Sequence, residues 1–188
     1  MILKVPYYSQ IKNTKNAAWK DKSCGIAALK MVLDFYEPTN LSIDELYQKG
    51  LDIGGYLENV GWYHHSLALL AKSLGYRAIT RSWNIGEESL KSLKERGFLD
   101  EDINVMSDQL IEEGIFTLKN EVKRKHPVIV SIPKGFVKNG SGHLVTLVGL
   151  TSREFIINDP LDGEKISVDY AKFEEIWTRR AIVLQKKH

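Results

Sequence analysis

The chain has 188 residues, of which 43% are hydrophobic and 27% charged. That profile excludes a disordered polypeptide and suits one globular domain with a sizeable core, expected over residues 1–188. A net charge of +2 is too small to point to nucleic acid or a membrane surface as the main partner. The single cysteine allows no internal disulfide, so packing must hold the fold and a reducing compartment does no harm.

The first ten residues include Lys4, Tyr7, Tyr8 and Ser9 and no apolar run of signal-peptide length. No stretch approaches the ~18 apolar residues of a membrane span. The expectation is a cytoplasmic chain; a secreted form trimmed of its leader reads the same.

Residues 2–9 read as a short strand, and residues 11–22 as a polar loop carrying Lys12, Lys15, Lys20 and Lys22. A helix is expected from Cys24 to about Tyr36. Its apolar residues lie nearly all round, which marks a buried helix. Pro38 and Asn40 end it. Ser42 caps a second helix through Gly50, with Glu45 completing a capping-box pattern. Residues 51–61, with Gly54, Gly55 and Gly61, form a loop. Leu67, Leu70, Ala71 and Leu74 give a helical pattern over 62–74, closed by Gly75. Weaker helical patterns cover 87–96 and 107–125.

The period changes at Pro127. Val128, Ile129, Val130 and Ile132 form an apolar strand, followed by a loop over 133–142. Strand 143–150 turns tightly at Thr151-Ser152 into strand 153–158, and Asp162-Gly163 signals a further hairpin. A short helix over 170–177 and a strand over 180–185 close the chain. Helices first and an antiparallel sheet second make an α+β arrangement, with the buried first helix packed on the C-terminal sheet.

Three residues draw attention for chemistry. Cys24 starts the buried helix, where the partial positive charge of a helix N-terminus favours a thiolate. Gly25 after it has no side chain to obstruct a substrate carbonyl. Alone, a cysteine beside an apolar run is most often an inert core residue. His143 opens an apolar strand after Gly140, Ser141 and Gly142, small residues that leave room for a substrate chain. Asp159 ends the next strand. Counting back from the turn at 151–152, residue 143 falls opposite about 160, which makes His143 and Asp159 near neighbours. An acceptor so placed orients an imidazole as a base. Taken singly, a strand-end histidine facing solvent and a turn aspartate before Pro160 are the plainer readings.

The segments VPYYSQ, SCGIAALKMVLDFY, GHLVTLVGL and FIINDP, in that order and with Trp19 between the first two, resemble the bacteriocin-processing (double-glycine leader) cysteine peptidases, family C39, and their stand-alone relatives. LSIDELYQKG and LALLAKSLGYRA resemble the family's helices. The resemblance implies a papain-like fold and a cysteine hydrolase acting on peptide or isopeptide bonds through a thioester. It implies Cys24 as nucleophile, His143 as general base, Asp159 as the group that orients it, and Gln10 as side-chain donor to the oxyanion. Gln10 lies farther from Cys24 than in the transporter-fused members, so Asn13 and Asn16 stand as alternative donors. The sequence has no GxxxxGK[ST] loop and no span, so a leader-peptide substrate does not follow from the resemblance. An acyltransferase or amidase on the same triad, and a non-catalytic peptide-binding module, are the rival classes.

Trp19 lies just before Cys24 and reads equally as a cleft wall or as packing. With Gly25 and Gly142 it is a candidate for contact with substrate. Trp62, Trp83 and Trp177 read as core or groove packing. His64-His65 point about 100° apart on a helix and do not form a chelating pair, so neither a metal nor a cofactor is expected and His64-His65 read as helix surface or cleft wall. The four lysines read as a solvated loop; on the rim of a cleft they would favour acidic substrates. A peptide or protein substrate is the expected partner.

Overall fold

Apolar, β-branched residues crowd much of the last third of the chain, and the strands over 128–133, 142–150 and 154–159 are buried on both faces. In the computed structural model, which describes residues 1–58 and 60–186, the first half gives α1 (Cys24–Tyr36), α2 (Ile43–Asp52), the small hairpin of β1 (Tyr56–Leu57) and β2 (Gly61–Trp62), α3 (His64–Ser73) and β3 (Tyr76–Ser82). The second half gives α4 (Glu87–Glu95), α5 (Asp100–Lys123), β4 (Val128–Pro133), β5 (Gly142–Leu150), β6 (Glu154–Asp159), β7 (Gly163–Asp169), α6 (Tyr170–Ile176) and β8 (Arg180–Lys186). Six strands make one antiparallel sheet in the order β3-β8-β4-β5-β6-β7. The α+β class and the packing of the first helix on this sheet agree with the expectation.

Strand alternation divides the core in two. Ile129, Leu144, Ile182 and Leu184 face α1, α2 and α3. Val128, Val130, Ile132, Val145, Leu147, Ala181 and Val183 face the other way, onto Leu118 and Val122 of α5 and Phe173 of α6. The helix α1 is buried from Gly25 through Leu33. Ile26, Leu29, Val32 and Leu33 are wholly enclosed, each contributing about 1.5–3 kcal/mol of transfer free energy. Lys30 lies in that buried run because Asp34 answers its charge at 2.6 Å, and Thr39 and Tyr8 complete the hydrogen bonding of the pair. The capping box of α2 is present, with Ser42 Oγ accepting from the Glu45 amide and Glu45 accepting from the Ser42 amide.

Several elements differ from the sequence expectation, among them α5, which begins at Asp100 rather than residue 107. Residues 2–9 are extended but form no strand; Ile2 alone makes a bridge, to Gly149. β4 pairs with β5 only from Gly142 to Leu147, which leaves that edge of β5 open from Val148 to Leu150. The N-terminal segment bonds there: Leu3 N donates to Val148 O at 2.7 Å, beside the bulge between Leu147 and Gly149, and Met1 exchanges backbone bonds with Leu150. Glycine suits position 149, since a Cβ there would sit 2.7 Å from Met1 O. Within the polar loop, Ala17–Lys22 form a 3-10 turn. The third helix begins at His64 rather than residue 62, because Trp62 belongs to β2. Finally, β3 was not expected, and it puts a strand from the helical half at the edge of the sheet, paired to the last strand.

Candidate active site

Cys24 is the first residue of α1, and the residue before it decides what surrounds it. Ser23 occupies the N-cap position but makes no capping bond. Its hydroxyl turns back to the Trp19 carbonyl at 2.6 Å. The first amides of α1 therefore keep their hydrogens free of any side-chain cap, and the positive end of the helix is directed at the thiol.

His143 and Asp159 meet as the sequence count anticipates. The β5–β6 ladder ends at Thr146↔Asn158. Beyond it, His143 Nε2 reaches Asp159 Oδ1 at 2.7 Å, with both side chains buried. The same carboxylate oxygen accepts from the amides of Leu161 and Asp162, which hold the group still. Since Nε2 is engaged by Asp159, Nδ1 is the nitrogen left for Cys24. Burial by itself pushes the His143 pKa down. The Asp159 hydrogen bond and the interactions with the Cys24 thiol outweigh it and push the pKa up to about 9. At neutral pH the ring is then an imidazolium, able to give a proton to a leaving group.

Gln10 is buried and is fixed at both ends. Its backbone amide donates to Pro160 O, and its side-chain Nε2 donates to Lys20 O at 2.9 Å. That carbonyl also receives the Ser23 amide, so Gln10 is tied to the turn that leads into α1. One hydrogen of Nε2 stays free to donate. The two alternative donors are differently employed. Asn13 and Asn16 are exposed, and their oxygens accept from the Ser9 and Ala18 amides in local turns.

Cys24 and His143 lie in a cleft of about 440 Å³. Asp21 and Lys22, Tyr56, residues 60–64, and the sheet-side residues Ser131, Thr178 and Arg180 help complete its walls. Gly142 lines it and has open space where a Cβ would stand. Gly25 does not do what the sequence reading supposes. It is buried, and a Cβ there would lie 2.9 Å from Leu144 Cδ1 and 3.1 Å from Leu67 Cδ1 and from Trp62 Cβ. Its smallness lets α1 approach the sheet, and it is not among the residues lining the cleft. Trp19 is not among the residues lining the cleft; it stacks on Tyr47 with ring centroids 4.4 Å apart, which is the packing alternative.

The sequence matches the model of the Peptidase_C39 like family over residues 2–183. The chain belongs to that family. Among solved structures, a candidate C39-like peptidase from Bacillus anthracis is similar at TM-score 0.66 and 21% identity, covering 99% of this chain and 97% of the other. The peptidase domain of Streptococcus ComA, a bifunctional ABC transporter of a quorum-sensing pathway, gives TM-score 0.56 and 20% identity over 89% and 93%. A double-glycine-motif protease from an AMS/PCAT transporter, solved with its leader peptide, gives 0.58 and 19% over 99% and 94%. At these identities the likeness is one of fold, and the fold is the papain-like one of the C39 group. No curated protein matches the sequence.

Several residues of this C39-like cleft carry no sequence signal that singles them out. Lys22 reads as one of four loop lysines, yet it lines the cleft and pairs with Glu58 at 2.7 Å. Trp62 braces the same wall by donating from Nε1 to Lys22 O. His64 is a cleft wall, one of its two sequence readings. Arg180, at the start of β8, reads as an ordinary strand-end cation and becomes part of the cleft only through tertiary pairing. Among the described residues no group of His, Cys, Asp and Glu is placed to hold a metal ion, and no helix is long and apolar enough to cross a membrane.

Proposed function

We propose that this C39-like chain is a cysteine peptidase acting through Cys24, His143 and Asp159. The observation that carries the reading is the buried His143–Asp159 bond with Cys24 beside it on the cleft wall. The Cys24 thiolate attacks the carbonyl carbon of a peptide bond. The C–N bond breaks as the His143 imidazolium protonates the leaving amine, and a thioester remains on Cys24. Neutral His143 then takes a proton from water, hydroxide displaces the thiolate, and the acid is released. The oxyanion of each tetrahedral intermediate is held by the Cys24 amide and the free hydrogen of Gln10 Nε2.

Gly142 leaves the cleft mouth open to an extended chain. The Streptococcus and AMS/PCAT proteins belong to transporters, and the latter is seen with a leader peptide. A peptide is accordingly the substrate class for this chain as well. The decisive experiment is a cleavage screen of a mixed peptide library by the wild type and by Cys24→Ala. Cleavage at defined sites by the wild type alone supports the reading. Equal patterns from both proteins, or no cleavage with full labelling of Cys24 by iodoacetamide, would point to transfer or binding instead.

A further inference from the structure

A second cavity, of about 420 Å³, adjoins the catalytic cleft. Tyr63, His64 and Arg180 border both. Cleft and cavity are therefore successive compartments along one surface, with Arg180 at their junction. None of the residues around the second cavity is acidic, although the chain holds 24 aspartates and glutamates.

Arg180 is set there by the sheet. It pairs with Ser82 across β3 and β8. It stands two residues before Ile182, which faces α1, so its side chain belongs on the catalytic face. Among the described residues no carboxylate lies within ion-pair distance of Arg180, whereas Lys22, the other cation of the cleft wall apart from His143, is neutralised by Glu58. Arg81 also borders the second cavity, but it pairs with Ala181 and by alternation belongs to the opposite face. His64 adds no positive charge. Burial, then the charges of Arg180 and His65, push its pKa down to about 4. Ser82, opposite Arg180, accepts from Asn84 Nδ2 and keeps its own hydroxyl hydrogen to donate.

We propose that this second cavity is a specificity subsite for a carboxylate of the peptide substrate, held by Arg180 with Ser82 beside it. A guanidinium presents two parallel donors that match the two oxygens of a carboxylate. The inference rests on the peptidase reading of the cleft and adds a preference to it: an acidic side chain, or the terminal carboxylate, a few residues from the scissile bond.

The test uses alkylating peptides that react with Cys24 without turnover. Peptidyl chloromethyl ketones extend from the sulfur on the acyl side and iodoacetyl peptides on the amine side. Each carries glutamate or glutamine one to three residues from the reactive carbon. The iodoacetyl glutamine peptides are made with amide or free-acid ends, which separates side-chain from terminal carboxylate. One anionic series should react about three- to tenfold faster than its neutral counterpart at low salt, the range of a partly solvated charged pair. Arg180→Gln should bring the ratio of anionic to neutral rates, measured within the variant itself, to about one. Equal rates for every anionic and neutral pair, or a preference that survives Arg180→Gln, would overturn the subsite. Failure of the neutral peptides to react would instead count against Cys24 as nucleophile. Binding of the acetylated peptides to the protein, measured by calorimetry, then decides the subsite by the same glutamate preference and its loss in Arg180→Gln.

Discussion

The chemistry of the cleft rests on a few side chains whose surroundings differ sharply. Asp159 Oδ1 accepts from His143 and from two backbone amides, all of which an asparagine oxygen can also accept. Asp159→Asn should keep the ring in place but lose the charge that stabilises the imidazolium. We expect kcat to fall by about two to four orders of magnitude without reaching zero, measured on any peptide cleaved by the wild type. Gln10→Ala removes a donor anchored at both ends. It should raise the barrier by about 2.7–4 kcal/mol, mainly in kcat, with Cys24 alkylation unchanged because the Cys24–His143 contact is untouched. An unchanged kcat would move the donor role away from Gln10.

At the scale of elements, the close approach of α1 to the sheet governs where the nucleophile stands. Gly25 packs on Leu144, Leu67 and Trp62, so the catalytic helix, α3 and the β2 wall of the cleft meet at one point. A methyl group there must push at least one of them aside. Gly25→Ala should destabilise the protein by about 1–3 kcal/mol in urea unfolding, and it should lower activity further by shifting Cys24 against His143. A variant with unaltered midpoint would show that the contact is slack. The extent of α1, the start of α2 and the end of α3 were legible because their signals are local: the apolar run of α1, the Ser42–Glu45 box of α2, the glycine after α3. The hairpin at 56–62 and strand β3 were not. Two-residue strands carry no period, and the alternation of β3 follows a helix that already accounts for the neighbouring apolar residues.

The whole molecule has a pH profile written by two histidines, His143 buried and His64 half-buried. The His143 pKa is raised from 6.5 to about 9. Its contribution is fully present below pH 6.5 and is lost as pH rises through 9, an effect of up to about 3 kcal/mol. The His64 pKa is lowered to about 4, so its neutral ring favours the folded state above pH 6.5 and that contribution is lost as pH falls through 4. These two contributions together are greatest near pH 6.5. Unfolding free energies measured across pH 4–9 should show Asp159→Asn flattening the alkaline limb and His64→Gln flattening the acid limb. An alkaline limb indifferent to Asp159→Asn would mean that the pair does not hold the proton on His143.

The sequence by itself determined the fold class, the buried first helix with Cys24 at its start, and the meeting of His143 with Asp159. Each follows from local chemistry: apolar periodicity sets the helix, and a tight turn at 151–152 fixes which residues of a hairpin end together. Only the tertiary structure decided that Gly25 serves packing, that Trp19 stacks on Tyr47, and that the N-terminal segment reaches β5 at its bulge. It alone decided, too, that Arg180 stands between the cleft and a second cavity free of acidic residues. These depend on which face of an element meets which neighbour many residues away, and no spacing along the chain encodes that.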